Sequence, residues 1–406
     1  MSRAALDADV LIAGAGLSGL SLAVALLDAG LPESARVLLV DPRERLDGED
    51  RTWCYFDAAP HAFDAAVAHR WTRWRVRDRG VDVVREAPGV AYCHVPGARF
   101  YARALERLEA AGPRIRLLLG ASVSSLEERD GHVEVRTTSG VLRAKLAMDS
   151  RPPRATEDRN APRDTTLLAR DHVRLLQHFR GRVVRSSRPA FDPGVATLMD
   201  FDVSQQHGIH FVYALPFDAH TALVESTFFS ECILRERLYE DAIDAWLAAR
   251  LPGHELTTQA REHGVIPMTT EPFDAWPSPR VVRIGTAGGH AKPSTGYAFL
   301  AVQRFVREFA PRVVEALRRG APAEPPPVRS PRTTALDTVF LSYLRRYPER
   351  APHTFFRLFE RVPAAVLVRF LSDTGSVADD LRVMRTTDLA RLTVEVARVT
   401  PLLRLR

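Results

Sequence analysis

Apolar and polar positions follow two rhythms along the chain. Asp9 to Ala13 is a short continuous apolar run of the kind that fills a central parallel strand. Ser18 to Ala29 has helical length and small side chains, and Gly30 with Pro32 stops it. Val37 to Val40 is the next apolar run and ends at Asp41, which predicts a compact strand–helix–strand unit. Arg99 to Ala111 puts Ala102, Leu105 and Leu108 on one helical face, while Ile115–Leu119, Val133–Thr137 and Val141–Leu146 read as strands. Arg151 to Asp164 is polar and proline-bearing, hence loop. From Val183 to Ser230 the pattern turns to short strands, at Ala196–Phe201, Ile209–Leu215 and Ala222–Phe228. Glu231 to Leu251 predicts a helix. Val281 to Ile284 is a further strand that runs into a Gly/Pro-rich loop and a helix from about Tyr297 to Leu317. The proline-dense stretch Arg319 to Arg332 reads as a linker, and the remainder as helical. No internal repeat or coiled-coil heptad is present.

Val10 to Leu27 carries no charge over eighteen residues, long enough on hydropathy alone to suggest a membrane span or a secretion signal. Asp7 and Asp9 stand where a signal needs positive charge, and three glycines interrupt the run. A buried strand, tight turn and buried helix give the same hydropathy, so the segment is read as part of a soluble fold. The 406 residues are enough for two or three domains. At 46% hydrophobic and 26% charged the composition is that of a globular protein. The net charge of +6 is spread along the chain, which argues against a nucleic-acid binder. Cys54, Cys93 and Cys232 suit neither a disulfide framework nor a zinc site and are compatible with a reducing cytoplasm. No His or Cys pair has metal-ligand spacing, so no metal is expected.

Gly14-Ala15-Gly16-Leu17-Ser18-Gly19 is a G-x-G-x-x-G run. Its setting, after a strand, opening a helix, and followed by Asp41 at the end of the second strand, is that of a dinucleotide site. Gly14 permits the tight turn, Gly16 lets pyrophosphate approach the backbone, and Gly19 lets helix and strand pack closely. The helix N-terminus, with the Ala15 turn before it, offers free N–H groups to a diphosphate, and Asp41 would accept hydrogen bonds from a ribose. A glycine-rich packing helix without ligand is the plainer reading of the same residues. A fingerprint followed by a second glycine-rich loop near residue 290 resembles the two-dinucleotide-domain flavoproteins of glutathione-reductase type. In those, the strand ending at Gly285 would deliver a loop against the flavin. Many of them have Asp after that glycine, whereas this chain has Thr286.

Four further blocks sharpen the resemblance. They are Asp50-Arg51-Thr52-Trp53-Cys54-Tyr55-Phe56, Leu223-Val224-Glu225-Ser226-Thr227-Phe228-Phe229-Ser230, Gly264-Val265-Ile266-Pro267-Met268, and the run from Ile284 to Phe299. In this order, from about residue 8 to about 310, the chain resembles the bacterial lycopene cyclase family of flavoproteins. The resemblance implies an α/β fold, with an FAD-binding Rossmann-type domain, an interwoven β-sheet substrate domain and a helical C-terminal tail. Residues 1–320 would hold the FAD domain interleaved with a sheet from about 70–100 and 165–280, and 321–406 the tail. It implies closure of β-ionone rings at the ends of lycopene, to γ- or β-carotene, without net redox change. Reduced FAD would be required, with NAD(P)H as the donor that reduces it. The implied cofactor-binding residues are Gly14, Ala15, Gly16, Gly19, Asp41, Arg51, Gly285 and Gly296.

Ring closure requires a proton on a trisubstituted alkene, capture of the tertiary cation by the neighbouring double bond, and loss of a proton. Glu225, between Leu223, Val224, Phe228 and Phe229, is the candidate acid, since desolvation would keep it protonated. The flavin itself is an alternative donor, and a strand-end ion pair is the plain reading of Glu225. The family commonly has a second acid after this Glu; here it is Ser226, so a two-carboxylate mechanism needs another acid to fill in. Trp53, Tyr55, Phe228 and Tyr297 are candidates for stabilising the cation. Arg51 has two open roles, the FAD phosphates or ribose, and an ion pair with Asp50 or Asp41. His290 is either a proton relay or a loop histidine with a backbone partner. Pro293 to Gly296 read as a turn before a helix whose N–H groups would face the flavin.

A forty-carbon hydrocarbon must be collected from a bilayer, so the expected location is cytoplasmic and peripheral to the inner membrane. Two helical stripes, Leu336/Val339/Phe340/Tyr343/Leu344 and Phe355/Phe356/Leu358/Phe359, either lie in the membrane interface or pack on the protein's own core. Two rival functions are a flavin monooxygenase or reductase acting on an isoprenoid, and a non-catalytic carotenoid-binding relative.

Overall fold

The computed structural model describes residues 6–48, 51–152 and 172–404. Asp50 and most of the expected loop at 151–164 lie outside them.

The predicted first unit forms as read. Strand β1 (Ala8–Ala13) is wholly buried, helix α1 (Leu17–Asp28) follows, and β2 (Val37–Asp41) returns parallel to β1. β8 (Ile115–Leu119) adds on the far side of β2, and β11 (Gly140–Asp149) on the far side of β1, both parallel. The first half of β11 turns back through β10 (His132–Thr137) and β9 (Val123–Arg129), and its second half pairs with β17 (Val281–Arg283). α1, α2 (Gly97–Ala110) and α4 (Phe299–Arg319) cover one face of this sheet around Val10, Ile12, Leu39, Phe100 and Phe309. The β9–β11 meander forms part of a second core around Leu11, Val40 and Val135.

A second sheet runs β16-β12-β15-β14-β13-β5-β6. Its strands are β5 (Arg73–Asp78), β6 (Val81–Glu86), β12 (Arg174–Ser186), β13 (Val195–Asp200), β14 (Ile209–Pro216), β15 (Thr221–Ser230) and β16 (Leu256–Thr269). β15 is buried on both faces from Thr221 to Phe229. Helix α3 (Glu236–Arg250) covers one face through Ile243, Trp246 and Leu247, against Val212, Ala222 and Val224. It starts five residues later than the pattern predicted. The other face packs on a small sheet of β3 (Thr52–Phe56), β4 (His69–Trp71) and β7 (Tyr92–Pro96), and on the C-terminal helices.

Those helices are α5 (Pro331–Arg346), α6 (Ala351–Arg361), α7 (Ala364–Leu371), α8 (Val377–Met384) and α9 (Leu389–Arg404). The aromatic stripes of α5 and α6 resolve toward the plain reading, because Tyr343, Leu344, Phe355, Phe356, Leu358 and Phe359 are buried in the same core as Phe211 and Phe229. Within these C-terminal helices the large apolar side chains at the surface lie instead on α8 and α9: Val377, Leu381, Leu389, Val394 and Val396. No helix among the described residues is long and apolar enough to cross a membrane.

Candidate active site

The fingerprint glycines do three different jobs. Gly14 is left-handed at φ +102°, and a methyl there would stand 2.5 Å from Ser150 Oγ. A methyl on Gly19 would stand 1.9 Å from the Gly14 carbonyl oxygen, so only glycine lets α1 sit this close to the end of β1. A methyl on Gly16 would meet nothing within 4 Å. Gly16 caps α1 with no side-chain hydrogen bond. The helix therefore opens with free N–H groups and positive potential onto space that a diphosphate fits.

Asp41 is buried at the end of β2. Ala15 N–H donates to its Oδ2 at 2.7 Å, and Arg43 donates through Nε to Oδ1 at 2.8 Å and through Nη2 to Oδ2 at 3.0 Å. Burial raises the carboxyl pKa, but the hydrogen bonds from Arg43 and from the Arg43 and Ala15 backbone outweigh it and leave the group below its ordinary value. A ribose hydroxyl would reach this carboxylate only by displacing Arg43, a neighbour that sequence reasoning passed over. Arg51 is exposed just before β3.

The late loop closes on the same helix. Gly285, at φ +70°, is so near α1 that a methyl there would lie 2.5 Å from Ser18 Oγ. His290 donates its Nδ1–H to the Gly285 carbonyl at 2.9 Å, and burial lowers its pKa to about 3, so the ring is neutral. Of its two open readings, the backbone-partnered loop histidine is the one seen. Lys292 is buried between Asp337, at 2.9 Å, and Asp373, and Ser294 donates to Asp337 at 2.5 Å. These ion pairs tie the loop to α5 and to the end of α7. Gly296, at φ +74°, abuts the second sheet instead of the fingerprint: a methyl there would collide with Gln177 and approach Ile266. The loop thus spans from the dinucleotide cleft to the sheet that carries Glu225.

On that sheet, strand parity decides which residues share a site. Glu225 on β15 stands opposite Gly181 on β12 and Tyr213 on β14, and Gly181 stands opposite Glu262 on β16. The glycine leaves a gap between the two glutamates, and their carboxyls hydrogen-bond across it. A methyl on Gly181 would lie 2.7 Å from Glu225 Cγ and 3.3 Å from Oε1. Glu225 is 8% exposed, and neither carboxyl is in an ion pair among the described residues. Two carboxylates at about 3 Å would repel by roughly 5 kcal/mol even at an effective dielectric constant of about 20. The pair therefore holds a proton near neutral pH. Burial, the negative charge of Glu262 and the hydrogen bond between them push Glu225 well above the ordinary carboxyl range. Burial raises Glu262 too, opposed by hydrogen bonds from Glu225 and from Thr52, whose Oγ1 lies 3.5 Å from Glu262 Oε1.

Ser226, one residue on, points to the other face, where its Oγ is 3.0 Å from His210 Nε2. Its lack of a carboxylate removes nothing from the Glu225 face. Phe228 also points away, stacked on His210 at 3.9 Å, and so does Val224; only Leu223 and Phe229 of the four expected neighbours share the face of Glu225. The same parity divides the 52–56 block. Thr52 and Cys54 reach the glutamate side, while Trp53 and Tyr55 turn to the nucleotide-domain core, Tyr55 stacked on Phe299 at 4.6 Å. Of the expected aromatic lining, Tyr297 remains. It hydrogen-bonds Tyr92, whose hydroxyl is 3.0 Å from that of Tyr213, and Tyr213 contacts Cys54. Cys54, Tyr213, Tyr297 and Glu262 are each only partly buried, whereas Glu225 between them is buried.

A Rossmann-type βαβ unit, a late loop folded back on its helix and a second sheet facing the cleft define the α/β fold of FAD-binding flavoproteins. The chain superposes on a flavoprotein/dehydrogenase from Cytophaga hutchinsonii with a TM-score of 0.63 over 96% of this chain and 98% of that one, at 11% identity. It matches the lycopene cyclase protein family over residues 9–394, and it belongs to that family. It is 28% identical over 399 residues to the lycopene beta-cyclase of Paracoccus sp. strain N81106, covering 93% of each chain. To the lycopene beta-cyclase of Pseudescherichia vulneris it is 30% identical over 302 residues, 71% of this chain and 70% of that one.

Proposed function

We propose that the protein is a lycopene β-cyclase, an isomerase that closes β-ionone rings on lycopene by acid–base chemistry in the presence of reduced FAD. The observation that carries this reading is the buried, proton-holding carboxyl of Glu225, paired with Glu262 and flanked on its own face by the apolar Leu223 and Phe229. Protonating an alkene needs an acid that water cannot level, and a hydrocarbon end group needs a dry, apolar seat. Glu225 meets the first need and the surrounding core the second.

Gly14, Ala15, Gly16 and Gly19 would hold the FAD diphosphate, with Asp41, Arg43 and Arg51 around the ribose and phosphates, and Gly285 and Gly296 shaping the loop along the ring. The open Gly16 backbone and the uncapped α1 N-terminus fit that group. Reduced FAD, with NAD(P)H as its electron donor, supplies an electron-rich ring that favours positive charge nearby. The protein's own part is to orient the substrate end, exclude water and move the proton at Glu225.

The substrate resides in membranes, and we assign the protein a cytoplasmic, peripheral position on the inner membrane. The exposed Val377, Leu381, Leu389, Val394 and Val396, with Arg382, Arg385 and Arg398 exposed on the same helices or just after them, support α8 and α9 as the contact surface.

Expression in a bacterium that accumulates lycopene tests the function. The expected outcome is conversion of the red pigment to yellow-orange products of unchanged mass, and no conversion with Glu225→Ala. A product of altered mass would point to a monooxygenase or reductase; bound but unconverted lycopene would point to a carrier.

A further inference from the structure

Isomerisation consumes one proton and returns one, so a site with an acid alone is half complete. Resting on the cyclase reading, we propose that Glu262 is the base of the reaction. Glu225 gives its proton to the terminal alkene, and Glu262 takes the ring proton whose departure forms the new double bond.

Three observations lead there. First, Glu225 and Glu262 face each other across Gly181, in register on three neighbouring strands. Glycine between them lets their carboxyls meet without an intervening side chain. Second, the two environments differ. Glu225 is buried on β15, whereas Glu262 keeps accessible surface and receives the Thr52 hydroxyl. Third, the groups facing the pair are Thr52, Cys54 and Tyr213, with Tyr92 and Tyr297 behind them. None is a cation, so among the described residues neither carboxylate is committed to an ion pair, and a proton can pass between the two without breaking one.

The balance closes without oxidant or reductant. The Glu225 O–H bond breaks as a C–H bond forms on the terminal alkene, and the cation captures the adjacent π pair as the ring C–C bond. A ring C–H bond then breaks, its electrons become the ring double bond, and Glu262 gains the proton. Transfer back to Glu225 along the hydrogen bond resets the pair. A tertiary ring cation can lose a proton from more than one adjacent carbon. The position of the base therefore sets where the ring double bond falls.

The test is Glu262→Gln in the flavin-loaded protein, compared with the parent and Glu225→Gln, using lycopene in detergent micelles under anaerobic reducing conditions. The expected result is a kcat at least 100-fold lower, with KM within about twofold and flavin occupancy unchanged. The acidic limb of the pH–rate profile, which reports ionisation of the base, should vanish, and the residual product should show a changed distribution of ring double-bond isomers. A rate within threefold of the parent, or a slowed rate with unchanged isomers and pH profile, would overturn the assignment to Glu262. Failure of the cyclase reading looks different: the parent itself would form no ring.

Discussion

The gap at Gly181 offers the sharpest perturbation, because a single methyl group there acts on the carboxyl pair and on almost nothing else. In Gly181→Ala the new Cβ would stand 2.7 Å from Glu225 Cγ and 3.2 Å from Leu223 Cδ1. Restoring an ordinary contact near 3.4 Å pushes the Glu225 side chain back by about 0.7 Å, out of line with Glu262. Overpacking of this kind costs about 1–3 kcal/mol, and Gly→Ala in an ordinary strand conformation returns about 0.4–1 kcal/mol through the unfolded chain. The net loss is about 0–2.5 kcal/mol. With an unfolding entropy of roughly 2.1 cal/mol/K per residue, Tm falls by no more than about 3 °C. Turnover is far more sensitive, since a misplacement near 1 Å costs on the order of 100-fold. Thermal shift and lycopene turnover on the same flavin-loaded preparation separate the two. Expected are a Tm within about 3 °C of the parent and a rate lower by about two orders of magnitude. A variant as active as the parent would refute the role assigned to the pair.

Other substitutions probe separate parts of the structure. Gly16→Ala meets no atom within 4 Å and should leave the fold intact while weakening FAD retention, measured by flavin absorbance after gel filtration; Gly19→Ala, 1.9 Å from a carbonyl oxygen, should destabilise the protein even without cofactor. Glu225→Gln should be inactive yet more heat-stable than the parent, by a margin that depends on pH. Below the ordinary value of 4.5 the carboxyl is neutral folded and unfolded; between 4.5 and the raised native value only the unfolded chain is ionised, so rising pH destabilises the parent alone and the Tm gap should widen from pH 5 to pH 8. A gap that narrows with pH would contradict a proton-holding Glu225. Leu381→Glu with Val394→Glu, both at exposed positions, should reduce flotation with vesicles containing about 30% anionic lipid while leaving Tm within about 1 °C. Equal flotation would move the membrane contact elsewhere.

How much of this was legible in the sequence depends on how local each signal is. The βαβ unit, its glycines and Asp41 lie within about thirty residues and obey rules of period and spacing, and the structure reproduces them almost residue for residue. β12 and β16 were not read as full strands. β16 is a long edge strand with mostly polar, exposed residues from Thr257 to His263, and β12 has Gly181 and four arginines among its apolar positions, so neither alternates cleanly. Glu225 was found from its block, but Glu262 was missed because its pairing with Glu225 runs through β12 and exists only once three strands are in register. Its one signal was its place two residues before the Gly264–Met268 block. Phe228 and Trp53 were placed at the site by proximity in sequence, where strand parity sends them to opposite faces. The aromatic stripes of α5 and α6 were ambiguous between lipid and core for want of any knowledge of what they face; the second sheet is what they cover.

Anaerobic turnover of the purified protein with lycopene, FAD and NADPH, following pigment and nicotinamide together, tests the cyclase assignment most directly. The expected result is many ring closures per NADPH oxidised, product of the same mass as lycopene, and none from Glu225→Gln. NADPH consumed one for one with a product of changed mass would contradict it, and full ring closure by Glu225→Gln would contradict the acid role of Glu225.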